Sequence, residues 1–250
     1  MTLSIRTPII KVVGENCNLR CSYCFYNGLD QKTANVMEQV ILEDFLRQYF
    51  SIFSGNLRFI WHGGEPLLAG IPFYEEVLRL QWKYSKKGDS VENMIQTNGT
   101  LLDDDWAEFL SKNHFRVGVS IDGTANSHNR FRRDVSGNGT FDRVVLGIET
   151  LKKHNVIPGV IQTMTRGNLS ALQSDFNFFT RELGLNGWAV NLYASSSTQN
   201  TLMFEEGLTN DEVTALYKQL IEIWLDQDDE NLYLREIDHT PAKFLAKTDD

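Results

Sequence analysis

Short apolar segments alternate along the chain with longer segments in which apolar residues recur at helical spacing. Six segments rich in β-branched and aromatic residues predict strands, and the segments between and after them predict helices. The predicted strands span residues 9–14, 57–61, 94–97, 116–121, 157–163 and 187–192. The predicted helices span residues 37–53, 72–85, 103–113, 141–154, 169–183 and 210–226.

This regular alternation predicts an α/β fold whose parallel strands are joined by right-handed helical crossovers. The segment Leu-Arg-Phe-Ile-Trp at 57–61 is typical of a strand covered on both faces. Two architectures fit the pattern, an open doubly wound sheet and a partial or complete (β/α) barrel. Both place functional residues at the carboxyl ends of the strands.

The composition is that of an ordinary globular protein, with 42% hydrophobic and 23% charged residues among 250. No apolar segment reaches the roughly 20 residues that a membrane span requires. The first residues lack the basic and then apolar layout of a secretory signal. These features predict a cytoplasmic protein that does not interact with a membrane.

The charge is unevenly distributed. The net charge is −9, and residues 201–250 contain thirteen acidic and four basic residues, so the first 200 residues are balanced. The only tight basic group comprises Arg130, Arg132 and Arg133, which is too small to follow a phosphate backbone. The balance therefore argues against a nucleic-acid partner.

All three cysteines of the chain, Cys17, Cys21 and Cys24, follow the first predicted strand within eight positions. An odd number in one short segment excludes a disulfide framework and favours a reducing compartment. Three thiolates so close in sequence predict one metal centre. It is either a zinc ion with a distant fourth ligand such as His62, or an iron–sulfur cluster with one open iron.

The C-x3-C-x2-C spacing, with Phe25 after the last cysteine, resembles the signature of radical S-adenosylmethionine (SAM) enzymes. Over residues 8–193 the sequence resembles anaerobic sulfatase-maturating enzymes and related peptide maturases. The other segments that match, in the expected order, are Gly63-Gly-Glu-Pro66, Gln96-Thr-Asn-Gly99, Ser120-Ile-Asp-Gly123 and His128-x3-Arg132.

The resemblance implies a partial (β/α)6 barrel with parallel strands, formed by residues 1–200 as a radical SAM core. Residues 201–250 are then expected to form an acidic helical extension at the start of a C-terminal domain with auxiliary clusters. No cysteine follows Cys24, so this chain does not contain the ligands of those clusters.

By the same resemblance, Cys17, Cys21 and Cys24 ligate a 4Fe–4S cluster whose open iron binds SAM. One electron from a reduced flavodoxin or ferredoxin type of donor then cleaves SAM to methionine and a 5′-deoxyadenosyl radical. The radical abstracts hydrogen from a side chain of a peptide or protein. The cofactor carries this chemistry, and the protein positions and shields it.

The resemblance also implies the residues around the cofactor. Gly63 and Gly64 are expected to let the backbone approach SAM closely, and Arg132 is expected to pair with the methionyl carboxylate. Tyr26 and His62 are the expected substrate-binding residues. No proton acceptor is assigned, because in the maturases it lies beyond this region. The full cofactor-binding set is Tyr23, Gly63, Gly64, Glu65, Pro66, Thr97, Asn98, Ser120, Asp122, Arg132 and Leu192.

Two alternatives remain open at this stage. The first keeps the radical reaction but replaces the peptide with a small metabolite. The second is a zinc-binding module without redox catalysis, in which the three cysteines and His62 hold the ion.

Overall fold

The computed structural model describes residues 7–26, 35–193, 205–227 and 231–238. These residues form alternating strands and helices in two compact units. The strands are β1 (Ile9–Lys11), β2 (Asn56–His62), β3 (Ser90–Thr97), β4 (Arg116–Ser120), β5 (Gly159–Met164), β6 (Gly187–Leu192) and β7 (Tyr233–Leu234). The helices are α1 (Gln39–Ile52), α2 (Ile71–Tyr84), α3 (Asp104–Lys112), α4 (Ala125–Phe131), α5 (Phe141–Lys153), α6 (Leu172–Asn177), α7 (Asn210–Gln227) and α8 (Arg235–Asp238).

The first unit consists of Met1–Leu19, Gly28–Gly118 and Arg143–Ile157. In it β1, β2 and β3 pair in parallel in chain order. Its core is aromatic, because the ring of Trp61 stacks on Phe59 at 6.0 Å and meets Tyr74 edge-on. The indole of Trp61 donates to Asn93 across 2.8 Å, which satisfies a buried polar group within this core.

The second unit consists of Arg20–Asn27, Val119–Asp142 and Pro158–Asp250. In it β5, β6 and β7 pair in parallel, so a strand from the predicted C-terminal extension adds to β6. Two phenylalanines of the segment before β6, Phe176 and Phe179, pack against Trp188 with ring centroids at 5.5 and 5.8 Å. Trp188 is therefore a core residue of the second unit.

The predicted elements exist, but some boundaries and one helix were wrong. Strand β3 begins four residues before the predicted start, because Ser90–Asn93 pair with the first half of β2. The helix predicted for 169–183 is interrupted, since a 3-10 turn, α6 and a π-helical turn at Phe178–Glu182 follow one another. The π turn buries two consecutive phenylalanines, Phe178 and Phe179.

The sequence patterns did not predict helix α4 or strand β7. Helix α4 has the polar sequence Ala-Asn-Ser-His-Asn-Arg-Phe, which shows no apolar periodicity, yet it buries Ser127 and His128. Strand β7 has only two residues and is specified by its pairing with β6. Within the part of the chain that the structure describes, no helix is long and apolar enough to cross a membrane.

Candidate functional site

The predicted site residues fall into one group in each unit, and the first group surrounds the loop that leads from β1 to Cys17. The backbone amides of Gly64 and Glu65 donate to the carbonyl oxygens of Gly14 and Asn16 across 2.9 and 2.8 Å. A Cβ atom at position 64 would lie 1.9 Å from the Asn16 oxygen. The glycine is therefore required for the close approach of this loop, a contact that the sequence analysis did not anticipate.

Glu65 joins two of the predicted motifs in the first group. One carboxylate oxygen accepts from the Leu67 amide at 3.0 Å and from the Thr97 hydroxyl at 2.7 Å, and the other accepts from the Asn98 amide at 2.7 Å. The side chain is fully buried, and this burial raises the pKa of Glu65 to about 7 despite the three donors. The carboxylate thus holds the ends of β2 and β3 together.

Asn98 connects the end of β3 to the first cysteine. Its side-chain nitrogen donates to the Asn18 side-chain oxygen at 2.8 Å and lies 3.7 Å from the sulfur of Cys17. The Leu19 backbone amide also donates to that sulfur, at 3.4 Å. The Cys17 sulfur therefore receives two N–H donors from its own unit.

The second group is organised by Asp122, a fully buried carboxylate after β4. One of its oxygens accepts from the Tyr23 hydroxyl at 2.5 Å and from Nε of Arg132 at 3.0 Å, and the other accepts from the Thr163 amide at 2.9 Å. The Arg132 guanidinium also lies over the Tyr23 ring, 5.4 Å from its centroid. Asp122 therefore links the cysteine segment, β5 and Arg132.

The electrostatics of this group favour a charged guanidinium beside a neutral phenol. Burial raises the pKa of Tyr23 well above 10, and Asp122 adds to this shift while Arg132 opposes it. Burial by itself would lower the pKa of Arg132, but Asp122, with Tyr23 and Cys21, raises it overall. Tyr23 is therefore a hydrogen-bond donor, and Arg132 keeps its charge.

His128 fixes the backbone of Arg132. Its Nδ1 accepts from the Asp122 amide at 3.3 Å, and its Nε2 meets the Thr140 hydroxyl at 2.9 Å. The Thr140 hydroxyl donates onward to the Arg132 carbonyl oxygen at 3.1 Å, so the imidazole proton is assigned to Nε2. Burial lowers the pKa of His128 well below its ordinary value. The histidine of the His128-x3-Arg132 motif is thus a neutral structural bridge.

Asp175 is a buried residue that the sequence analysis missed. Its carboxylate accepts from the Thr124 amide at 3.0 Å, the Ser127 hydroxyl at 3.2 Å and the Gln162 amide at 2.8 Å. Burial raises its pKa to about 6. It also packs against Gly123, where a Cβ atom would lie 2.0 Å from the carboxylate. A single acidic residue inside a predicted helix gave no signal for this role.

The segment around Cys21 pairs with the chain that contains Arg132. The amides of Arg20 and Ser22 donate to the carbonyl oxygens of Arg133 and Phe131 across 2.7 and 2.9 Å. The Ser22 hydroxyl is buried and meets no hydrogen-bond partner among the described residues. This hydroxyl lies between two predicted ligands, Cys21 and Cys24, in the sequence.

The other predicted residues lie at the expected ends of elements. His62 ends β2, where its Nδ1 accepts from the Gly63 amide at 2.7 Å, and burial lowers its pKa. Ser120 ends β4, and Leu192 ends β6 with 37% of its surface exposed. Pro66 is buried and opens a 3-10 turn at Pro66–Ala69. Tyr26 packs edge-on against Phe25 at 5.7 Å.

The groups around the cysteines suit thiolate ligands of a metal centre. Amide donors aimed at the Cys17 sulfur, the orphaned Ser22 hydroxyl, and a guanidinium whose charge interacts with Cys21 all suit thiolates that carry negative charge. In the described part of the chain, no three His, Cys, Asp or Glu side chains are grouped closely enough for one metal ion.

Comparison with known proteins decides the family. Residues 12–168, more than half of the chain, match the radical SAM superfamily. The chain belongs to this superfamily. Its predicted cofactors, a 4Fe–4S cluster and SAM, are thereby confirmed as those of its family.

Two curated relatives of this radical SAM protein are sulfatase-maturating enzymes. A cysteine-type anaerobic enzyme from Clostridium perfringens is 32% identical over 226 residues, which cover 87% of this chain and 60% of the relative. A serine-type enzyme from Bacteroides thetaiotaomicron is 39% identical over 176 residues, covering 68% and 42% of the two chains. The chain thus spans about half the length of these relatives.

A solved structure gives the fold. Native anSMEcpe with bound AdoMet and the Cp18Cys peptide matches with a TM-score of 0.84 and 30% identity, covering 93% of this chain and 64% of that one. The match confirms the predicted α/β class, with parallel strands in a partial barrel of the radical SAM type.

Proposed function

We propose that this protein is a radical SAM enzyme that abstracts hydrogen from a side chain of a peptide or protein. The observation that carries the proposal is its similarity, over 93% of its length, to a maturase structure that contains both AdoMet and a peptide. The curated relatives are named as enzymes that mature sulfatases, so a sulfatase-derived or comparable peptide is the favoured substrate class.

In this proposal Cys17, Cys21 and Cys24 would hold the cluster. The bound cluster and SAM together supply a 5′-deoxyadenosyl radical for hydrogen abstraction. A reduced flavodoxin or ferredoxin type of protein is the proposed electron donor.

Arg132 is the proposed partner of the methionyl carboxylate. Asp122 occupies only Nε, and the described residues form no other side-chain hydrogen bond with Arg132. The two terminal nitrogens therefore form a planar pair of donors that matches a carboxylate. We assign Asp122 to the orientation of this guanidinium, since its own oxygens are occupied within the protein.

The Gly63–Pro66 segment is proposed to accept hydrogen bonds from the methionyl ammonium. An ammonium group only donates, so it requires carbonyl oxygens. The amides of Gly64 and Glu65 already bind the loop before Cys17, and the Glu65 carboxylate holds Thr97 and Asn98. The backbone carbonyl groups of the segment are thus the proposed ligands, and Glu65 fixes the segment in place.

Tyr23 is proposed to contact the adenine through its backbone, because its hydroxyl is bound to Asp122. Ser120 and Leu192, at the ends of β4 and β6, complete the proposed cofactor contacts. Tyr26 and His62 remain the proposed substrate contacts. The Nδ1 atom of His62 accepts a backbone hydrogen bond, which leaves Nε2–H of a neutral imidazole as a donor.

The first experiment is anaerobic reconstitution with iron and sulfide, followed by reduction with dithionite in the presence of SAM and a cysteine- or serine-containing sulfatase peptide. We expect 5′-deoxyadenosine and a modified peptide from the wild type and neither from Cys21→Ala. Nucleoside that forms only with a small metabolite would support the alternative substrate class. A colourless protein that binds zinc and no iron would refute the proposal.

A second measurement tests the carboxylate assignment. Arg132→Ala should weaken SAM binding about tenfold to a hundredfold, the effect of losing charged hydrogen bonds, while its iron content stays unchanged. Arg133→Ala is the matched control, because Arg133 is exposed and donates to the Gly137 carbonyl oxygen. Equal affinity of the two variants would show that the carboxylate binds elsewhere.

A further inference from the structure

The amide orientation of Asn98 is fixed by its neighbours. Its oxygen accepts from the Thr100 backbone amide at 3.0 Å and from the Thr100 hydroxyl at 2.7 Å. That hydroxyl in turn accepts from the Asn18 side chain at 2.9 Å, and the Asn18 oxygen accepts from the Asn98 nitrogen. A flipped Asn98 would point its NH2 group at a backbone N–H, so the nitrogen must face Asn18 and Cys17.

This orientation brings a buried donor to the half-buried Cys17 sulfur. Asn98 is 7% exposed, and its nitrogen lies 3.7 Å from the sulfur. Burial strengthens hydrogen bonds, because little water competes for the donor. A side-chain donor of this kind can be altered by substitution, whereas the Leu19 backbone donor to the same sulfur persists in every variant.

We infer that Asn98 raises the reduction potential of the cluster through its N–H···S contact with Cys17. The inference rests on the proposed function, since it takes Cys17 as a cluster ligand. Reduction adds one negative charge to the cluster and its thiolates. A donor at the ligand sulfur therefore stabilises the reduced form more than the oxidised form, and hydrogen bonds to sulfur are a known determinant of cluster potential. Asn98 is thus a positioning residue that makes the cluster easier to reduce.

The test is an anaerobic redox titration of the reconstituted full chain, followed by the electron paramagnetic resonance signal of the reduced cluster. Asn98→Asp keeps the size and the oxygen that faces Thr100 but replaces the donor with an anionic oxygen. At a fixed potential we expect the ratio of reduced to oxidised cluster to fall about tenfold, equivalent to about 59 mV for one electron. Asn138→Asp adds the same charge at an exposed position and should leave the ratio unchanged.

A second pair of variants leaves Asn98 in place and covers the case in which Asn98→Asp takes up no cluster. Thr100→Val removes the hydroxyl that orients the amide and should lower the ratio by a smaller factor, whereas Thr100→Ser should preserve it. Potentials equal to the wild type in Asn98→Asp, or in Thr100→Val when Asn98→Asp fails to load, would overturn the inference. Failure of the wild type to form any cluster would instead refute the proposed function.

Discussion

Gly64→Ala is expected to be among the most damaging small substitutions in the first unit. The added Cβ would lie 1.9 Å from the Asn16 carbonyl oxygen, 2.5 Å from its carbon and 2.7 Å from the Glu15 oxygen. All three are backbone atoms of the loop that leads into Cys17, so no side-chain rotation can relieve the overlap. The loop or the Gly63–Pro66 segment must move.

The energetic cost follows from the contacts that such a movement breaks. Overpacking of this kind costs about 1–3 kcal/mol. The displacement also separates the Gly64 and Glu65 amides from the Gly14 and Asn16 carbonyl oxygens, and each lost hydrogen bond adds about 1 kcal/mol. We therefore expect the free energy of unfolding to fall by about 3–5 kcal/mol and the Tm by roughly 10 °C or more.

Urea and thermal unfolding of the cluster-free protein measure this effect without any contribution from iron. Gly159→Ala is the control, because a Cβ atom there meets nothing nearer than the Gly187 oxygen at 3.8 Å. That substitution should be neutral or slightly stabilising, since it reduces the freedom of the unfolded chain. A Gly64→Ala protein as stable as Gly159→Ala would refute the packing argument and would restore the view that this glycine serves only the cofactor.

Two further predictions concern the buried carboxylates. Asp122→Asn leaves the buried Arg132 without its counter-ion, so the free energy of unfolding in urea should fall by about 3–5 kcal/mol. Tyr23→Phe loses only one hydrogen bond and should lower the free energy of unfolding by about 1 kcal/mol. Equal losses in the two variants would contradict the ion-pair argument. Burial raises the pKa of Glu65 from 4.5 in the unfolded chain to about 7. The stabilising contribution of protonated Glu65 is therefore complete below about pH 4.5 and is lost as the pH rises toward 7. This loss lowers the free energy of unfolding by about 3 kcal/mol. Urea unfolding at pH 5 and pH 8 should show this decline in the wild type and a flatter profile in Glu65→Gln, and parallel profiles would exclude Glu65 as the group responsible.

The family and the element order were predictable from local sequence. The cysteine spacing and the four short motifs can be recognised from the sequence because each lies within a few residues of one strand end. Strands β2 and β6 were found because each contains three consecutive apolar residues, at 59–61 and 188–190. Helix α3 was found because Asp103 supplies an N-cap, accepting from the Trp106 amide at 2.9 Å. These signals act over one or two turns of chain and need no tertiary partner.

The roles of the motif residues were less predictable. Glu65 and Asp122 were interpreted as ligand contacts because carboxylates beside a charged cofactor are chemically plausible. In the structure these two carboxylates bind Thr97, Asn98, Tyr23 and Arg132, which lie 10–99 positions away from them in the chain. No sequence pattern states which of a carboxylate's oxygens is already occupied.

The sequence by itself therefore determined the superfamily, its cofactors and the alternation of strands and helices, because these depend on residue type and local spacing. Only the tertiary structure decided that Gly64 accommodates a backbone loop, that His128 is a neutral bridge and that Asp175 belongs to the second group. It alone also decided that the Asn98 amide faces the Cys17 sulfur. Such assignments depend on which distant donors and acceptors meet once the chain is folded, and burial then sets how strongly each contact acts.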